Sequence, residues 1–220
     1  SAAASLSALA AEAAAAPMRS LIEQLDHDIM RYCSMCAEVN AQHDAAYRRV
    51  VAKVKSAVKF LWPRAQVHPF GSYATGLMRP GSDIDLVVIL PRVMTSNFPE
   101  SPDLERRNAM SDTWHSTLAR CLREQPWIVA DSVRTLPGIV PIVSFVARGS
   151  CETEFGMHEL TIDVSFGSES HSGLATTQFV MRTLLERPAA KPLTLILKTF
   201  LASRNLDKPY LGGLSSFGLL

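Results

Sequence analysis

Asp83 and Asp85 flank Ile84 at the head of a β-rich run. Side chains alternate along a strand, so both carboxylates leave one face and Ile84 leaves the other. Two like charges side by side are costly unless a cation lies between them, and Mg²⁺ bound through one or two carboxylates plus substrate phosphates is a common answer. An Asp-x-Asp alone is weak evidence, because carboxylates at strand ends are usually just solvated. Asp163 adds weight to it. It sits in Leu160-Thr-Ile-Asp-Val-Ser-Phe166, where Ile162 and Val164 point one way and Asp163 points the other, with Thr161 and Ser165. If that strand lies beside the Asp83 strand, three carboxylates converge. Such a cluster can hold two divalent ions roughly 3.5 to 4 Å apart, one at an attacking hydroxyl and one at a leaving pyrophosphate.

Gly71-Ser72 supplies the phosphate end. Glycine permits close backbone approach, and a serine opening a short helix offers its hydroxyl and N–H groups to an anion. A Gly-Ser turn by itself is an ordinary loop. Followed eleven and thirteen residues later by Asp83 and Asp85, it becomes specific.

The elements that must position these groups follow from periodicity. Apolar residues from Met18 to Asn40 and from Tyr47 to Leu61 recur at spacings of three and four, which predicts two amphipathic helices, the second ended by Pro63. Val67 to Phe70 reads as a short strand, Gly71 to Leu77 as a brief helical turn, and Asp83 to Leu90 as a strand whose second half, Leu86 to Leu90, is buried on both faces. A polar loop over 92–102 and a helix from Leu104 to Glu124 come next. Trp127 to Val133, Val140 to Ala147 and Glu159 to Phe166 read as strands, and Ala175 to Glu186 and Pro192 to Arg204 as helices. Ser215 reads as the N-cap of a last helix that stops in mid-pattern at Leu220, which leads us to expect a piece of a larger protein.

The organisation expected is an alanine-rich, mobile or weakly helical tail over 1–17, a helical segment over 18–62 that packs with a central domain, a catalytic domain over 63–172, and the start of a helical central domain over 173–220. The fold class is α/β in the α+β sense: a mixed sheet flanked by helices.

Composition excludes little. The chain is 47% hydrophobic and 20% charged with a net charge of +1, ordinary for a globular protein, so any RNA-binding surface must be local. Cys33 and Cys36 form a CxxC without a second pair or a His motif, in a helical stretch, which suits two half-buried thiols better than zinc or redox chemistry. No stretch approaches about 18 consecutive apolar residues, so no membrane partner is expected.

The stretch Phe70-Gly-Ser-Tyr-Ala-Thr-Gly-Leu-Met-Arg-Pro-Gly-Ser-Asp-Ile-Asp-Leu-Val-Val88 resembles the signature of polymerase-β-like nucleotidyltransferases, in their terminal RNA nucleotidyltransferase branch. Leu61-Trp-Pro, Asp131-Ser-Val-Arg, Val140-Pro-Ile-Val, Ile162-Asp-Val-Ser-Phe and Pro192-Leu-Thr-Leu-Ile-Leu-Lys-Thr-Phe-Leu look like TRAMP-type poly(A) polymerases. The resemblance implies that Asp83, Asp85 and Asp163 bind Mg²⁺ or Mn²⁺, with Asp163 as general base toward the RNA 3′-hydroxyl. It implies that Gly71, Ser72 and Lys198 hold the triphosphate, that Ser215 and Ser216 contact phosphate, and that Phe217 stacks on the incoming base. Bland alternatives are a snorkelling surface lysine for Lys198 and a core ring for Phe217. Two positions depart from the family pattern. Ser172 precedes Gly173 where relatives often carry Asn, and Ala202 stands where some uridylyltransferases place a second lysine.

The expected activity is therefore template-independent transfer of nucleotides to RNA 3′ ends, with ATP as substrate. A terminal uridylyltransferase is the runner-up, a small-molecule nucleotidyltransferase or a catalytically silent RNA-binding scaffold the more distant readings. An RNA-binding protein that supplies affinity, and a nuclear or cytoplasmic location, are what the resemblance adds.

Overall fold

The computed structural model describes residues 2–90, 111–153, 156–167, 171–207, 212–215 and 217–220. The expected loop over 92–102 and Ser216 lie outside them. A single helix, α1 (Ala2–Leu61), joins the two helices expected at the N-terminus and takes in residues 2–17 before them. The join between the two periodic segments, Ala41-Gln-His-Asp-Ala-Ala46, contains no proline or glycine, and alanine has the highest helix propensity, so nothing breaks the chain. Ala46, Tyr47, Val50, Val51, Val54, Ala57 and Val58 form one buried stripe along it.

Five strands make one mixed sheet in the order β1-β2-β5-β4-β3, comprising β1 (Gln66–Phe70), β2 (Ile84–Ile89), β3 (Arg134–Leu136), β4 (Ile142–Thr153) and β5 (Gly156–Phe166). The parallel pair β2 and β5 is central, with β1 antiparallel to β2 and β4 antiparallel to β5. Ile84, Leu86 and Val88 on β2 and Ile162 and Val164 on β5 pack into the main core, against α1 and against Leu118 and Leu122 of α3 (Ser111–Arg123). Burial of β2 is narrower than expected. Leu86 to Val88 are buried, whereas Ile89 is exposed at the strand's end.

Two expected elements take another form. Trp127 to Val133 is not a strand: Ile128 makes a single bridge to Ala147, and Ala130–Ser132 is a 3₁₀ turn. Ser132 causes the change. Its hydroxyl donates to the Val129 carbonyl at 2.6 Å and accepts the Val146 N–H at 2.8 Å, so a side chain takes the place of a ladder bond. The expected last helix is a 3₁₀ turn over Phe217–Leu219, where Ser215 Oγ accepts the Gly218 N–H at 3.2 Å, as a capping serine would. The two predicted helices after β5 are present as α4 (Gly173–Glu186) and α5 (Ala190–Ser203). Leu77, Val180 and Leu195 form a smaller core where they meet α1 and the segment that leads into β2.

Candidate active site

The register of the two central strands builds the site. Asp85 pairs directly with Asp163 across the parallel ladder, and each faces away from the core formed by its neighbours. Asp83, just before β2, completes the group: carboxylate oxygens of Asp83, Asp85 and Asp163 lie within 4.8 Å of one another. Ionised, Asp85 and Asp163 at that separation would repel by about 3 kcal/mol at an effective dielectric near 20. Lys198 and Ser144 offset this repulsion only in part, and one oxygen of Asp163 is buried without a hydrogen-bond partner among the described residues. Three hard oxygen donors with an orphaned lone pair fit a hard divalent cation.

The protonation balance agrees. Burial, then the neighbouring Asp83 and Asp163 charges, push the Asp85 carboxyl up to about 7, with Lys198 opposing. Burial likewise raises Asp163, with Ser144 opposing and Asp83 adding to the rise. A cation must displace the Asp85 proton below that value. Without nucleotide, Mg²⁺ or Mn²⁺ affinity is therefore expected to fall about tenfold per pH unit below 7 and to level off above it. Calorimetric titration between pH 5.5 and 8.5 checks this; a flat profile would mean Asp85 is already ionised.

Phe70 ends β1 opposite Asp85, so the chain turns into the short helix α2 (Gly71–Thr75) directly beside the carboxylates. Gly71 has a φ of +66°, and a Cβ there would overlap a carboxylate oxygen of Asp85. Only glycine allows this approach. The Gly71 N–H is not free: it donates to Thr177 Oγ1 of α4 at 3.0 Å, while that hydroxyl donates to the Gly173 carbonyl at 2.8 Å. Gly173 is itself in tight contact, since a Cβ would lie 2.7 Å from both Phe70 and His171. Close packing at Gly173 thus seats α4, and α4 seats the Gly71 turn.

A cleft of about 940 Å³ opens over the three aspartates. Gly71, Ser72, Lys198, Ser215 and Phe217 line it with them, so every described residue expected at the site is brought together. Lys198 is not a snorkelling lysine; its Nζ donates to the Leu77 carbonyl at 3.0 Å. Burial pushes its ammonium down to about 8, Arg79 works the same way, and Asp83, Asp85 and Asp207 oppose. Nor is Phe217 a core ring: it is half exposed and meets Phe179 edge to face at 5.7 Å between centroids.

Sequence reasoning missed Thr177, Phe179, Arg79 and Asp207. Thr177 and Phe179 sat inside a helical pattern with nothing to say which face met the cleft. Arg79 and Asp207 sat in stretches that read as breaks and loops.

Comparison with known proteins places this geometry. The family model described as nucleotidyltransferase domain matches residues 51–113. Poly(A) RNA polymerase protein 1 of Saccharomyces cerevisiae is 36% identical over 172 residues, which is 78% of this chain and 23% of the relative. Poly(A) RNA polymerase cid14 of Schizosaccharomyces pombe is 30% identical over 193 residues, 88% of this chain and 25% of the relative. Among solved structures, the polymerase core of TRAMP, described as an RNA surveillance complex, superposes with a TM-score of 0.56 at 30% identity over 79% of this chain and 46% of that one. The chain thus spans about a quarter of the length of these curated relatives.

Proposed function

We propose that this chain, which carries a polymerase-β-like nucleotidyltransferase domain similar to those of TRAMP-type poly(A) polymerases, is the catalytic part of a template-independent RNA 3′-terminal adenylyltransferase. The observation that carries the reading is the meeting of Asp83, Asp85 and Asp163 within 4.8 Å, beside a glycine turn no other residue could make.

In this reading Asp83, Asp85 and Asp163 hold Mg²⁺ or Mn²⁺, which when bound supplies electrostatic stabilisation to the phosphates and lowers the pKa of the attacking hydroxyl. Ser72 and Lys198 bind the triphosphate, with Gly71 keeping the backbone close. Ser215 borders the same phosphates, and Ser216 is assigned with it by its place in the matched segment. Phe217, backed by Phe179, offers a face for the base; such stacking contributes about 1 to 3 kcal/mol and accepts any base. Asp163 takes the proton of the RNA 3′-hydroxyl as the new bond to the α-phosphorus forms and the bond to pyrophosphate breaks.

ATP is favoured because the relatives' names specify poly(A) synthesis, and because Ala202 leaves no second lysine one turn beyond Lys198. RNA 3′ ends are the acceptor, an RNA-binding protein is the expected source of affinity for a chain of net charge +1, and the site of action is nuclear or cytoplasmic. Among the described residues no helix is long and apolar enough to cross a membrane. The test is extension of a labelled oligo(A) primer by the full-length protein with each NTP in turn. ATP should extend it and Asp83→Ala should not; UTP used far better than ATP would sink the adenylyl assignment.

A further inference from the structure

Three consecutive residues tie the catalytic strands to the surrounding helices. Lys198 Nζ donates to the Leu77 carbonyl at 3.0 Å, and Asn40 Nδ2 donates to the Met78 carbonyl at 2.7 Å. Arg79 returns a bond in the other direction, its Nη1 donating to the Lys198 carbonyl at 3.3 Å. Its Nη2 lies 3.6 Å from the Asp207 carboxylate. Asp207 reaches that place because α5 ends on Asn205 in the left-handed conformation, φ 57°, with the Leu206 N–H donating back to the Leu201 carbonyl at 2.8 Å. Lys198 is thus gripped at both ends, its ammonium by Leu77 and its main chain by Arg79.

An arginine lining the cleft could meet a phosphate itself or act through a neighbour. Here Nη1 and Nη2 each make a contact within the protein and Nε is buried without a partner among the described residues, so the guanidinium is already turned toward the protein, although each Nη keeps a second N–H. The second role fits better. Lysine is a point charge on a flexible stem, and fixing its main chain narrows where that charge can go. The planar guanidinium spans a carbonyl and a carboxylate at once, which a single ammonium does far less well.

We propose that Arg79 is a positioning residue: it clamps the main chain of Lys198 and, with Asp207, holds that lysine's ammonium where an incoming nucleoside triphosphate arrives. The inference rests on the nucleotidyl-transfer reading above. Its test is the Kd of a non-hydrolysable ATP analogue with Mg²⁺ for the full-length protein. Arg79→Met should weaken binding about tenfold, the size of a lost hydrogen bond to a charged group, and Asp207→Asn should weaken it less. In a Lys198→Met background, Arg79→Met should add less than about twofold, because it acts through that lysine. Arg79→Lys keeps the charge and covers the case of a methionine variant that does not fold; it should still bind about threefold or more weakly. Unchanged affinity in both Arg79 variants, or a full Arg79→Met loss persisting without Lys198, would overturn the inference. A wild-type protein that does not bind the analogue would overturn the functional reading and this inference with it.

Discussion

Asp85→Asn is expected to lower kcat/KM for primer extension by about a thousandfold or more while raising the melting temperature of the metal-free protein. The first effect follows from losing a carboxylate that neutralises and places a cation, a contribution of several kcal/mol to the transition state. The second follows from the same residue's environment. Asp85 holds its proton up to about pH 7 in the folded state and only to about 4 when unfolded. The folded state therefore binds the proton more tightly, and stability falls as pH rises between those values. Asparagine removes the penalty, so the gain should appear at pH 8 and vanish near pH 4. Kinetics and melting curves at the two pH values check both halves; a variant that loses activity and stability together would point to a purely structural aspartate.

Gly71→Ala should cost activity and stability at once. At φ +66° any side chain is strained, by about 1 to 3 kcal/mol, and here the new Cβ would also overlap the Asp85 carboxylate. Relief requires the α2 turn to swing away from β2, which breaks the bond from the Gly71 N–H to Thr177 and moves Ser72 off the cleft. A displacement of about 1 Å at a site of this kind costs about a hundredfold in rate. The expected result is a hundredfold lower kcat/KM with a lowered melting temperature, in contrast to Asp85→Asn. An alanine variant with wild-type kinetics would mean that the turn does not position the reacting groups.

The chemistry was more legible in the sequence than the scaffold. Alternation along the two runs put Asp83 with Asp85, and Asp163 with Ser165, on the correct faces, because a period of two needs only local residues. That Asp85 would stand directly opposite Asp163 was not derivable, since parallel register is decided by packing across a distant crossover. Periodicity found the helices but not their continuity. A polar stretch such as Gln42-His-Asp44 looks like a break until the alanines around it are weighed. Around Trp127 to Val133, β-rich composition pointed to a strand, and the Ser132 hydroxyl decided otherwise by satisfying the backbone from a side chain. Lys198 was legible as a cation misplaced in an apolar helix, whereas its clamp was not. Arg79 and Asp207 meet only because α5 and the turn after it fold back over the cleft.

The central claim is that the three carboxylates share divalent cations beside the Gly71 turn. Crystals of the full-length protein grown with Mn²⁺ and a non-hydrolysable ATP analogue, measured at the manganese absorption edge, address it directly. Anomalous density should be coordinated by Asp83, Asp85 and Asp163 together, with the triphosphate against Gly71 and Ser72. Manganese bound elsewhere, or bound with Asp163 turned away, would contradict it.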